Sequence, residues 1–186
     1  MPSNAYRRYL LPLPKEAEVL LDGRPGPGRG RRFRAAANRA VVVASVSAWE
    51  AYLEELLREA VAAVRAATRP AGAADVLVGL ADRAIGRFNT PNPTNARALF
   101  ADYLGLSDLP AAWSWRGSAP PRTRTRLDAV LQLRHRVAHG VNPRPAVPAE
   151  TADLLPAFAR RLGRATDAAV RAHLVGTLGV PNPWPA

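Results

Sequence analysis

The run Arg134-His135-Arg136-Val137-Ala138-His139 places a guanidinium and an imidazole five positions apart, immediately before Gly140. An imidazole titrates near neutral pH and can carry a proton in either direction. A guanidinium grips a phosphate through paired hydrogen bonds and offsets the charge that grows on it. Together the two groups suit acid–base and electrostatic work on a phosphodiester. The plainer alternative for His139 is a histidine in a last helical turn, chosen for the helix dipole alone. Other chemistries fall away. The chain has no Cys, and its three histidines are His135, His139 and His173. A disulfide scaffold, a thiolate metal site and a Cys nucleophile are excluded, and a zinc site would need these imidazoles plus carboxylates. No metal and no cofactor is expected.

The helix that carries this motif is expected over about Thr125–His139, closed by Gly140 as a C-terminal cap. On a wheel Leu127, Val130, Leu131, Val137, Ala138 and Val141 form an apolar arc, and Arg134 falls near its middle. A guanidinium in a core needs an acidic partner, a polar cavity or a subunit interface. Glu50, on the flank of the apolar stripe of an earlier helix, is the candidate partner and is expected to face Arg134 within hydrogen-bonding range. The plainer reading of that pair is a structural ion pair that fixes helix packing. His139 lies on the polar side instead, with His135, Asp128 and Gln132.

Charge points to the partner. Lys and Arg total 26 against 15 Asp and Glu, a formal net charge of +11, and only Lys15 is a lysine. An excess of this size favours polyanions such as nucleic acid. A GC-rich coding bias explains Arg over Lys, but not Arg over Asp and Glu. Residues 106–124, ahead of the motif helix, read as irregular and carry Trp113, Trp115, Arg116, Arg122 and Arg124, and Arg126 follows at the start of that helix. These offer stacking platforms and phosphate contacts for a nucleic acid, with Arg136 adding to them. The alternative is that both tryptophans plug the end of the domain and only the arginines face water.

The elements that must position these groups all read as helices. With 48% hydrophobic but only 6% aromatic residues, the core is built from Ala, Val and Leu, which favours helix-on-helix packing. Val42, Val46, Trp49, Leu53, Leu56, Ala60 and Val64 mark one face of a long helix over about 32–68. A second helix runs from about Ala74 to Arg87, with Val76, Leu77, Leu80, Ala84 and Ile85 as its apolar side. Asn92-Pro93 reads as the cap and first position of a third, which Gly105 stops. The fourth is the motif helix. The last runs from about Thr151 to Leu178, with Pro156 either near its start or at a kink. The fold is therefore expected to be all-α, an antiparallel bundle of about five main helices. Residues 1–31 read as a peripheral segment with at most a turn or two of helix at Lys15–Leu21 and a Pro/Gly/Arg-rich link. Residues 32–178 form the domain and 179–186 a tail. Arg7 and Arg8 precede only Tyr9-Leu10-Leu11 before Pro12, too short for a signal segment, and no apolar run approaches the ~20 residues of a membrane span. The chain reads as cytoplasmic, with no membrane partner.

Arg134-x4-His139 resembles the Arg-x4-His motif of the HEPN superfamily. Ser47-Ala48-Trp49-Glu50-Ala51-Tyr52, Phe88-Asn89-Thr90-Pro91-Asn92, and Leu104-Gly105-Leu106 leading to Trp113-Ser114-Trp115 are similar to the RiboL-PSP-type branch. The resemblance spans about residues 33–176. It implies a HEPN-like bundle and a metal-independent endoribonuclease of a toxin–antitoxin or antiviral system, with an antitoxin or regulatory protein as a possible partner. It implies a homodimer whose two motifs line one cleft, and this is one of three ways to meet a difficulty in the wheel, where residues five apart on a helix point about 140° apart; a flexible Arg or a distorted last turn are the others, and the sequence does not choose among them. Glu50 would match the acidic residue of the first long helix, and His135 the often polar second motif position. The implied reaction is attack of a 2′-hydroxyl on the neighbouring phosphorus, with His139 moving a proton, Arg134 holding the phosphate, and Glu50 orienting Arg134. The alternatives are a catalytically silent HEPN module for dimerisation, RNA or protein binding, and an unrelated helical scaffold whose charge is compositional.

Overall fold

A 37-residue helix, α2 (Arg31–Ala67), is the axis on which the other elements pack. The computed structural model describes residues 1–22, 30–69, 72–139 and 146–184. The remaining helices are α1 (Leu13–Asp22), α3 (Gly72–Ile85), α4 (Pro93–Leu104), α5 (Pro120–Ala138) and α6 (Ala149–Gly176). Among the described residues there is no strand; one isolated bridge joins Trp115 to Ser118. The protein is all-α, as the 3–4 spacing of its apolar residues requires. No helix among the described residues is long and apolar enough to cross a membrane.

The stripe on α2 is buried as its periodicity predicts. Val42, Val46, Trp49, Leu53, Leu56 and Ala60 all lie in the core. Aromatic rings lock its centre. Trp49 stacks on Tyr52 at 5.5 Å and meets Trp113 edge-on at 5.9 Å. Their polar tips are satisfied, which is what makes burial of such groups tolerable: the Trp49 indole donates to the Pro91 carbonyl at 3.0 Å, the Tyr52 hydroxyl to Gly163 at 2.9 Å, and the Trp113 indole to the Thr166 hydroxyl at 2.9 Å. At α4 the Asn92 side chain accepts from the Asn95 amide at 2.7 Å, Pro93 follows it, and Gly105 closes the helix at φ 72°. Both ends thus carry the capping chemistry that their residue types announce.

Three expectations are corrected. The N-terminal segment is not peripheral. Ser3, Ala5, Tyr6, Leu10, Leu13 and Ala17 are buried, and a π-helical turn (Tyr6–Leu10) leads into a full helix α1. Gly163 on α6 makes room for it, since a Cβ there would overlap Leu10 Cδ1 and stand 3.3 Å from the Tyr6 ring. Glu59 accepts from the Asn4 and Ala5 amides, and buried Asp167 accepts from the Ser3 amide and hydroxyl. The tail is not free either: Val180 and Trp184 are buried, and the Val180 amide donates to Leu174. On α3, Val76 and Leu80 face outward and Ala74, Ala81 and Ile85 pack inward. The last helix agrees with its expected span to two residues, Ala149–Gly176, and Pro156 lies inside it rather than at its start. The Pro/Gly/Arg-rich link at 23–29 and the Gly140 cap lie outside the described residues.

Candidate functional site

Helix α5 positions most of the candidate residues, and it begins earlier than its apolar pattern announces. Pro120 and Pro121 occupy its first turn, where a missing N–H costs nothing, so Arg122 and Arg124 are helical rather than part of an irregular loop. Its side chains then fall on three faces whose centres are about 120° apart, given a turn of about 100° per residue.

The first face packs on α2. Thr123, Leu127 and Val130 are buried there, and Arg134 continues the line, half-buried. The Arg134 Nε is buried without a hydrogen-bond partner. Half-buried Glu50 on α2 feels the Arg134 charge, but no hydrogen bond and no ion pair joins them among the described residues. The expected contact within hydrogen-bonding range is therefore corrected to a longer-range attraction. Burial pushes the Glu50 carboxyl above the usual carboxylate range, Arg134 opposes the shift and Glu54 adds to it. Desolvation outweighs the pairing, so the ionised carboxylate is a net folding cost. That cost is absent below the ordinary glutamate range and fully present above the raised value. Glu50→Gln should accordingly stay within about 1 kcal/mol of the parent at neutral pH, on the stabilising side, with the difference vanishing in acid. Urea unfolding at both pH values checks this; a loss of about 3–5 kcal/mol would instead mean a truly buried pair.

The second face carries His135 and His139, both exposed. Their ring centroids lie 4.3 Å apart. His139 is the capping residue of α5, and its amide donates to the His135 carbonyl at 3.1 Å. The one-turn spacing thus brings the two imidazoles together. It does not bring Arg134 to them, because that side chain points to the α2 side of the same helix. Arg124, half-buried, sits between these two faces.

The third face opens onto a groove of about 1020 Å³ between α5, the Trp115–Ser118 turn and the first half of α6. Five of the arginines reach it: Arg116, Arg122, Arg126, Arg136 and Arg161, against one carboxylate, Glu150. The Arg126 guanidinium lies 4.5 Å over the Phe158 ring, and Trp115 meets that ring edge-on at 5.9 Å. Partial burial, then the charges of Arg122 and Arg161, lower the Arg126 pKa, as expected where cations crowd one another. Ala129, Leu133 and Leu154 supply apolar lining.

Of the expected RNA-binding residues, Trp115, Arg116, Arg122, Arg126 and Arg136 converge on this groove and Arg124 does not. Trp113 is a plug: it is fully buried against Trp49 and Thr166. Arg161 and Phe158 on α6 escaped the sequence reading. The run Arg160-Arg161…Arg164 marks a basic stretch of the last helix but does not say which of its arginines meets the groove. Among the described residues no group of three or more His, Cys, Asp or Glu side chains is arranged to hold a metal ion. No family model, curated protein or solved structure matches this chain.

Proposed function

We propose that the chain is a metal-independent endoribonuclease of the HEPN type, acting as a homodimer in a toxin–antitoxin or antiviral defence system. The observation that carries this reading is the pair of exposed imidazoles of His135 and His139, 4.3 Å apart, at the end of the helix that also bears the unpartnered Arg134. In the proposed reaction the 2′-hydroxyl gives up its proton to a base as its oxygen attacks the adjacent phosphorus, the bond to the 5′-oxygen breaks, and the departing oxygen takes a proton from an acid. His139 handles one of these protons, and a second imidazole supplies the other role. Arg134 offsets the charge on the phosphorane-like transition state, and Glu50 on α2 acts on it only through the longer-range attraction of its carboxylate. His135 and Arg136 are auxiliary. Arg134 and His139 leave one α5 in directions about 140° apart, so a second copy is the economical way to direct both at one phosphate. An antitoxin or other regulatory protein would hold such an activity in check.

The test is cleavage of a defined RNA by the purified chain in EDTA. Products with 2′,3′-cyclic phosphate and 5′-hydroxyl ends are expected, and 2′-deoxy substitution at the cut site should abolish the cut, because it removes the nucleophile. Cleavage that persists at the 2′-deoxy position, or that depends on a divalent ion, would overturn the proposal. The second reading, a silent RNA-binding module, draws on the position of Arg134 on the packed face of α5 rather than beside His139.

A further inference from the structure

We infer that the groove on the third face of α5 is a track for single-stranded RNA that continues along α6 through Arg161 and Arg164. This deepens the proposed function, on whose RNA substrate it rests, by naming the strandedness of that substrate and two residues of α6 that bind it.

The first observation is continuity. A second cavity of about 520 Å³ lies beside the groove and is walled by Trp115, Arg116 and Arg161, which also line the groove. It adds Ser114, Arg164 and Ala165. Trp115 and its two arginine neighbours are therefore the shared wall of one longer furrow, not the end of a pocket. At the other end stands Arg136, three residues before His139 and on the adjoining face of the helix. A strand lying in the furrow would run from the imidazole pair, past Arg136 and Arg126, to Trp115, and on to Arg164.

The second observation is the kind of surface. The groove arginines form no salt bridge among the described residues, so their charge is available to a polyanion. Between them the lining is apolar, with Ala129, Leu133 and Leu154, and Trp115 is half-buried and faces the furrow. Phosphate charge and exposed base faces alternate in the same way along a single strand, which binds basic grooves furnished with aromatic platforms. A duplex hides its bases and presents only phosphates and groove edges, so it leaves an apolar lining and a tryptophan without partners.

The binding test uses the His139→Ala chain, which keeps the furrow, with a short fluorescein-labelled oligouridylate, the matching duplex, and a polyglutamate peptide at one fixed salt concentration. Arg161→Glu and Arg164→Glu should each weaken single-strand binding by about tenfold, while Arg97→Glu, exposed on α4 away from the furrow, should change it by less than about twofold. Binding should quench tryptophan fluorescence, and Trp115→Ala should remove that quenching while Trp115→Phe retains the affinity. The duplex should bind at least about tenfold more weakly than the single strand. Equal weakening by Arg97→Glu, equal affinity for duplex, or displacement of the oligonucleotide by polyglutamate at equal charge would overturn the inference. Failure of the nuclease reading is seen separately: it would leave these affinities in place with no cleavage by the parent chain.

Discussion

His139→Ala is expected to lower the proposed RNA cleavage by about 10²–10⁴-fold, the usual worth of a positioned acid or base, with helicity and RNA affinity staying at parent levels. The structure makes this a clean substitution. The His139 ring is exposed and caps α5 through its backbone, so removing the ring leaves the amide bond to His135 intact. Its ring contact is with His135, itself exposed. Arg134→Ala is expected to be as damaging to the chemistry, yet it is the weaker experiment. That side chain lies along the packed face of α5 beside Leu127 and Val130, and truncating it opens space against α2. The comparison is therefore made at fixed salt, with circular dichroism and oligonucleotide affinity measured on the same preparation. A His139→Ala chain that cuts at the parent rate leaves the RNA-binding module as the surviving reading. A chain that keeps its helicity but loses cutting and affinity together places His139 in RNA binding rather than in proton transfer.

How much of this was legible in the residues follows from how far each signal extends. Helix α2 was legible because its stripe repeats over many turns and each repeat constrains the next. The start of α4 was legible because Asn92-Pro93 states a cap and a first position in two residues. The N-terminal segment was not. Its core residues Tyr6, Leu10 and Leu13 keep a 4–3 spacing, but they are few, and Pro2, Pro12 and Pro14 break the stretch into pieces too short to read as a helix. Their partner, Gly163, is far away in the chain, and a glycine does not announce what it accommodates. For the site, the pairing of His135 with His139 follows directly from one helical turn. The gap between Glu50 and Arg134 does not, since a wheel gives direction but not separation. The α6 share of the basic furrow was hidden for a different reason: Arg161 reaches it from another helix, and only packing brings that helix alongside Arg126 and Trp115.

Trp113 and Trp115 are separated by one residue, and they should fail in opposite ways. Trp113→Ala is expected to cost about 3–5 kcal/mol of stability, the range for removing a fully buried large aromatic side chain. Its indole fills the space between Trp49 and α6, and its N–H is bonded to Thr166, which can fall back on the Leu162 carbonyl it already shares. The cavity, more than the lost hydrogen bond, therefore sets the cost. Trp115→Ala should cost no more than about 1–1.5 kcal/mol, because the ring is half-exposed and its aromatic contact is a single edge-on approach to Phe158. Its effect belongs to RNA: a stacking platform is worth about 1–3 kcal/mol per base, so affinity should fall by roughly five- to a hundredfold. Urea midpoints and oligonucleotide titrations on the two variants separate these outcomes. If Trp115→Ala binds RNA as the parent does, the furrow lacks its stacking wall and only its arginines recognise the strand. If Trp113→Ala is as stable as the parent, the aromatic cluster around Trp49 does not hold α4, α5 and α6 to the long helix in the way the packing indicates.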